Sequence, residues 1–130
     1  MKYNFVIPGN PVPYAAPRCN RRVFYDVRHK EKDDARHSIR SQFSGSIIHG
    51  PVKLRFAFYM PIPKSASKSA KVSMASGLIP HTTKPDVSNL LKLYEDILKD
   101  IVIIDDACVV DLKGSKVYSE DPRIEVTVIY

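Results

Sequence analysis

A chain of 130 residues has room for one hydrophobic core but not two, and 44% hydrophobic with 26% charged residues is ordinary for a globular domain. No apolar run approaches the ~20 residues that span a bilayer, no secretory hydrophobic region opens the chain, and two lone cysteines make no disulfide framework. A single cytoplasmic domain over residues 1–130, with no membrane contact, is therefore expected. The four histidines and two cysteines lack zinc-ligand spacing, which argues against zinc. The net charge of +6 is divided unevenly: residues 1–84 carry 15 Lys/Arg against 4 Asp/Glu, and residues 85–130 carry 5 against 10. A basic majority suits phosphate contact, and clustered carboxylates suit a hard cation.

Tyr3, Phe5 and Ile7 alternate with Lys2, Asn4 and Val6, so residues 2–7 read as a strand that P-G-N-P-V-P breaks. From Tyr14 to Tyr25, Arg18, Arg21 and Arg22 are interleaved with Tyr14, Phe24 and Tyr25. That composition suits phosphate contact and base stacking, and a plain surface loop is the other reading. Asp26 is a good cap for a helix running to about Ser44, with Gly45 as its stop and Ala35, Ile39 and Phe43 as its apolar stripe. Val52, Leu54, Phe56, Phe58 and Met60 alternate with Lys53, Arg55, Ala57 and Tyr59, the clearest strand of the chain.

Residues 61–83 carry Lys64, Lys68 and Lys71, no acids, and many serines and alanines. A flexible basic loop is expected, able to turn helical over Lys64–Met74 on binding and to clamp phosphates; an insertion without a role is the alternative. After Asp106, Ala107–Tyr118 and Arg123–Tyr130 read as two strands joined by S-E-D-P, with Gly114 marking a bulge or bend.

Between these lies His81–Asp106, H-T-T-K-P-D-V-S-N-L-L-K-L-Y-E-D-I-L-K-D-I-V-I-I-D-D. At 100° per residue, Leu90, Leu91, Leu93, Tyr94, Ile97 and Leu98 share one side of a helix, and Ser88, Lys92, Glu95, Asp96 and Lys99 the other. Asp86 and Ser88 stand where caps or oxygen ligands would stand, and Lys92 lies one turn in. The apolar run Ile101–Ile104 reads as a short buried strand delivering Asp105 and Asp106. Packed together, helix and strand can bring these carboxylates and Lys92 into one divalent-metal site. Each piece also has a plain reading: Asp86 as a turn residue, Asp105-Asp106 as a solvated turn, and Lys92 paired with Asp96 one turn on.

The order K-P-D-x-x-N-L-x-K at Lys84, Pro85, Asp86, Asn89, Leu90 and Lys92, followed by D-D at Asp105 and Asp106, resembles the RusA-type Holliday junction resolvases. The opening F-V-I-P-G-N-P-V, Pro17-Arg18, and the closing V-V-D-L-K-G-S-K-V-Y-S-E-D-P-R-I-E-V extend the likeness over most of the chain. The resemblance implies an α+β fold, with a mostly antiparallel or mixed sheet of about five strands and two main helices. It also implies Mg²⁺-dependent cutting of four-way DNA junctions, with Mn²⁺ as a substitute, by a homodimer of bacterial, phage or prophage origin. Asp86, Lys92 and Asp106 would be catalytic, and Asp86, Asp105 and Asp106 would hold the metal, with Ser88 beside them. Arg18, Arg21, Arg22, Lys64, Lys68, Lys71 and Lys84 would contact DNA. Ser88 is the departure, since the family's pattern is K-P-D-x-D-N-L. A weak enzyme is one outcome, a junction- or duplex-binding protein that no longer cuts is another, and an unrelated basic nucleic-acid-binding module is a third.

Overall fold

The computed structural model describes every residue from Met1 to Tyr130. Its elements in chain order are β1 (Lys2–Pro8), β2 (Arg18–Asn20), β3 (Val23–Tyr25), α1 (His29–Gln42), β4 (Val52–Pro61), α2 (Lys68–Ala75), α3 (Val87–Leu98), a 3₁₀ turn (Asp106–Cys108), β5 (Val109–Ser119) and β6 (Arg123–Ile129). The four long strands form one mixed sheet in the order β1-β6-β4-β5, antiparallel except for the parallel pair β4–β5. The two short strands pair only with each other. The fold is α+β, as the sequence implies, with four strands in the main sheet and a third, smaller helix.

Period-two alternation explains the sheet. Val52, Leu54, Phe56, Phe58 and Met60 of β4 are all buried, as are Phe5 and Ile7 of β1 and Ile124, Val126 and Val128 of β6. One face is thus apolar throughout, and α1 and α3 cover it: α1 packs on β1 and α3, and α3 on β5. Ala35 and Ile39 enter the core from α1, and Leu90, Leu93, Tyr94, Ile97 and Leu98 from α3. Fully burying each large side chain contributes about 1.5–3 kcal/mol, so this shared layer holds α3 firmly against the sheet.

Several local expectations give way to tertiary contacts. Ile101–Ile104 is no strand, because the Leu98 carbonyl accepts the N–H groups of Ile101, Val102 and Ile103 in a tight turn, with Asp100 left-handed at φ 65°. Ile101, Val102 and Ile103 are nonetheless buried, and Ile103 only bridges singly to Ile48 and Lys99. Asp26 lies before α1: its Oδ1 accepts from the Arg28 N–H at 2.9 Å and its Oδ2 from Lys32 Nζ at 2.8 Å. The helix stops at Gln42, ahead of Gly45, and Gly45 is needed for room, since a Cβ there would lie 2.5 Å from the Tyr3 hydroxyl and 2.9 Å from the Phe43 ring. Gly114 is likewise no bulge; its missing Cβ makes way for Leu91 of α3, which would stand 2.8 Å away. The register shift falls at Val52/Lys53 instead, where Val109 and Asp111 are the successive partners on β5. The basic segment 61–83 contains an ordered helix: α2 is capped by Ser67, whose side chain accepts from the Ala70 N–H, and it buries no residue.

Candidate active site

The N-terminal half of α3 is where distant parts of the chain meet. Its buried stripe fixes its rotation, so Lys92 faces away from the sheet and is exposed. The segment after β1 is tied along the same helix, with the Val12 N–H donating to the Tyr94 hydroxyl at 3.1 Å and the Tyr14 N–H to the Asn89 carbonyl at 3.0 Å. These two bonds bring the Tyr14 ring under Lys92, whose Nζ stands 4.0 Å from the ring centroid. A cation over an aromatic face is held in place at about 0.5–1 kcal/mol where solvent reaches it, so Lys92 keeps its charge in a set position. Tyr14, Lys92, Leu93, Asp96 and Asp106 line one pocket of about 200 Å³.

The carboxylates around this pocket compete with one another. A hydrogen bond shared with Asp105 raises the Asp106 carboxyl above its ordinary value and lowers that of Asp105. Asp105 also lies 3.6 Å from Lys99. Burial raises Glu95 first, and the charges of Asp106 and Asp96 raise it further. Asp96 draws on α1, with Lys32 Nζ at 3.6 Å and Arg36 at 3.8 Å, rather than on Lys92 one turn before it. Four carboxylates thus crowd beside Lys92, and of these Glu95 and Asp106 are in no ion pair.

Asp86 occupies the cap position of α3 but makes no capping bond. Both its oxygens take Lys84 Nζ, at 3.0 and 3.1 Å. The loop that carries it is held from below by β5, where Lys116 Nζ donates to the carbonyls of Thr83 at 2.6 Å and Pro85 at 2.9 Å. Next to Lys116 the His81 ring packs on Tyr118 at 4.6 Å, and burial, then the Lys116 charge, lowers its proton affinity. Buried and neutral, His81 has an Nδ1 with no partner.

A family model for endodeoxyribonuclease RusA matches residues 8–129, from the end of β1 to the end of β6. The chain belongs to the RusA family. Members of that family are endodeoxyribonucleases that act on branched DNA junctions, and they are generally divalent-metal dependent. A Bacillus subtilis (strain 168) relative, named only as uncharacterized protein YqaN, is 38% identical, covering 95% of this chain and 93% of its own. Membership removes the reading of an unrelated basic module.

Against the family's motif, the structure sorts the expected residues into groups. Lys92 and Asp106 share the pocket, and Asp105 is bonded to Asp106. Asp86 is turned to Lys84, and Ser88 is exposed in the first turn of α3. No three His, Cys, Asp or Glu side chains stand together as a ready-made metal cage. A crowded carboxylate pair still fits Mg²⁺, which is commonly held through one or two carboxylates while keeping several waters. Arg18, Arg21 and Arg22 lie on the β2–β3 hairpin, and Lys64, Lys68 and Lys71 on or before α2. Tyr14, Glu95, Asp96 and Lys116 are residues that sequence reasoning did not place at this site. The spacings Lys92–Glu95 and Lys92–Asp96 were a usable signal, since both put an acid beside Lys92 on the helix. The sequence offered Tyr14 only as a stacking aromatic of the arginine segment, not as a partner of Lys92, and nothing pointed to Lys116; the contacts of both cross more than 30 residues.

Proposed function

We propose that this chain is a Mg²⁺-dependent endonuclease that cuts four-way DNA junctions as a two-fold homodimer, with Mn²⁺ able to substitute. The observation that carries the reading is the meeting of Lys92, fixed over Tyr14, with the crowded Asp105-Asp106 pair at one pocket of a RusA-family chain. Asp106 and Asp105 would hold the metal, with Asp86 joining them by exchanging its Lys84 partner. When bound, the metal supplies positive charge against the scissile phosphate and activates water for attack. Lys92 neutralises the charge that develops on the phosphate or leaving oxygen, its ammonium already aimed by the ring beneath it. Lys84, freed from Asp86, becomes available to a phosphate of the bound strand. A four-way junction is two-fold symmetric and needs two matched cuts, which a C2 dimer provides with one operator.

A second reading is favoured by Ser88, exposed where the motif calls for a carboxylate, together with the lack of a three-carboxylate cluster. In it the chain binds junctions but cuts them weakly or not at all. The test is cleavage of a synthetic four-way junction with and without Mg²⁺, beside a gel shift of the same junction. Asp106→Asn should abolish Mg²⁺-dependent cutting and leave binding within a few-fold. Full cleavage by that variant would remove Asp106 from the mechanism, and binding without cutting by the wild type would establish the second reading.

A further inference from the structure

The β2–β3 hairpin is an unusual object on this surface. All residues from Arg18 to Tyr25 are exposed, including Val23 at 63%, Phe24 at 76% and Tyr25 at 46%. A lone two-stranded hairpin is marginally stable in water and normally packs its apolar side on something. Here the strands pair only with each other, through Arg18 with Tyr25, Cys19 with Phe24 and Asn20 with Val23. The two-residue tip is Arg21-Arg22, with φ 48° and 71°. Positive φ at both central positions is what a tight hairpin turn demands, and Asn and Gly fill it most easily. Two arginines there are conformationally costly and therefore call for a purpose.

One foot of the hairpin stands at the pocket, and the other is one ion pair removed from it. Its leading foot is Tyr14, beneath Lys92. Its trailing foot is Asp26, bonded to Lys32, which also contacts Asp96 of the pocket lining. Phe24 lies two residues from Asp26, about 7 Å along an extended chain. An exposed aromatic and two tip cations are thus carried on a hairpin whose leading segment passes through the candidate active site. Bases offer a flat apolar face and phosphates a negative charge, so stacked nucleotides complement both features at once.

We infer that the Arg18–Tyr25 hairpin is a wedge that stacks Phe24 on an unstacked base at the branch point of DNA while Arg21 and Arg22 hold the flanking phosphates. The inference rests on the branched-DNA reading above and adds how the branch is recognised. Continuous duplex offers no free base face, so the wedge favours junctions over duplex of the same length.

The test uses synthetic four-way junctions carrying 2-aminopurine at single positions through the branch, bound by the full chain without divalent metal. Wild type should change the fluorescence at a branch-point position and leave arm positions unchanged. Phe24→Ala, at a mostly exposed site, should lose that change and bind the junction about five- to a hundredfold more weakly, the range for one lost base stack. Its affinity for plain duplex should move less than threefold. Arg21→Gly with Arg22→Gly keeps the turn geometry and should weaken junction binding with a shallower salt dependence. Junction binding by wild type with no branch-point signal, or the same signal from Phe24→Ala, would overturn the wedge and leave the functional reading standing. No junction binding by wild type would sink both. Conversion of a dimer to a monomer by Phe24→Ala in sedimentation would make the hairpin a protein contact and also overturn the wedge.

Discussion

Ser88 and Glu95 show how single residues set the balance of charge at the pocket. A serine oxygen can still face a metal or its waters, but it brings no second negative charge, and metal affinity depends strongly on carboxylate count. Ser88 is exposed and makes no capping bond, so Ser88→Asp has space and displaces no partner. Ser88→Asp should cut junctions at lower Mg²⁺ than wild type across a titration; an unchanged curve, with wild type already active at millimolar Mg²⁺, would show that this position is no ligand. Glu95 gives a pH signature that needs no substrate. Burial, then Asp106 and Asp96, makes its carboxyl hold a proton more tightly folded than unfolded. Such a group helps folding while protonated, below the ordinary glutamate value of ~4.3, and that help is lost as pH rises through its folded value. At neutral pH the ionised Glu95 is a net cost, so Glu95→Gln should raise the urea midpoint at pH 7. The gain should stay under about 1 kcal/mol because solvent screens much of the interaction. It should vanish near pH 4, and a gain that persists there would trace the effect to packing rather than charge.

Among the elements, what could be read in the sequence was what a single periodicity could carry. β1, β4 and β6 are buried on one face and open on the other, so their alternation was visible. The stripe Leu90, Leu93, Tyr94, Ile97 and Leu98 likewise announced α3 and put Lys92 on its outer side. Ile101–Ile104 misled because four consecutive apolar residues fit a buried turn as well as a strand, and the deciding bonds run to Leu98. The hairpin went unseen as structure because its strands have three residues each and bury nothing that would impose a pattern. At the site, the D-D pair and Lys92 were legible, whereas the Lys116 support of the Asp86 loop was not, because it comes from a strand whose pattern shows no link to that loop. Gly114 teaches the same lesson and can be tested. Gly114→Ala would place a Cβ 2.8 Å from Leu91 Cδ2 and 3.1 Å from its Cγ, forcing the Leu91 side chain to shift between α3 and β5. Overpacking of this kind costs about 1–3 kcal/mol. In urea unfolding, Gly114→Ala with Leu91→Ala should be less destabilised than the two single changes together, by about 0.5 kcal/mol or more. Strict additivity would place the strain of Gly114→Ala elsewhere.

For the whole molecule, the decisive property is where positive charge is left over. Most cations near the core have acidic partners: Arg28 with Glu31, Lys32 with Asp26, Arg36 with Asp96, Arg55 with Asp111, Lys84 with Asp86, Lys99 with Asp105, and Arg123 with Glu125. The arginines of the hairpin and Lys64, Lys68 and Lys71 are in no such pair, so two clusters of uncompensated charge sit on exposed elements, the β2–β3 hairpin and α2 with its approach. Charges free of protein partners are the ones that release counterions when phosphates replace solvent. Each phosphate contact on duplex DNA adds about −0.9 to the slope of log K against log salt. α2 packs on β5 and is capped by Ser67, so its lysines are presented from a formed helix with little further ordering to be done on binding. Changing Lys64, Lys68 and Lys71 together to Gln should therefore flatten the slope by up to about 3 units while the unfolding midpoint stays close to wild type. The measurement is junction affinity at several salt concentrations, read as slope rather than as one constant, since a single value mixes charge with stacking. An unchanged slope would make α2 a passive insertion and leave the hairpin and the pocket rim to carry the contact with DNA.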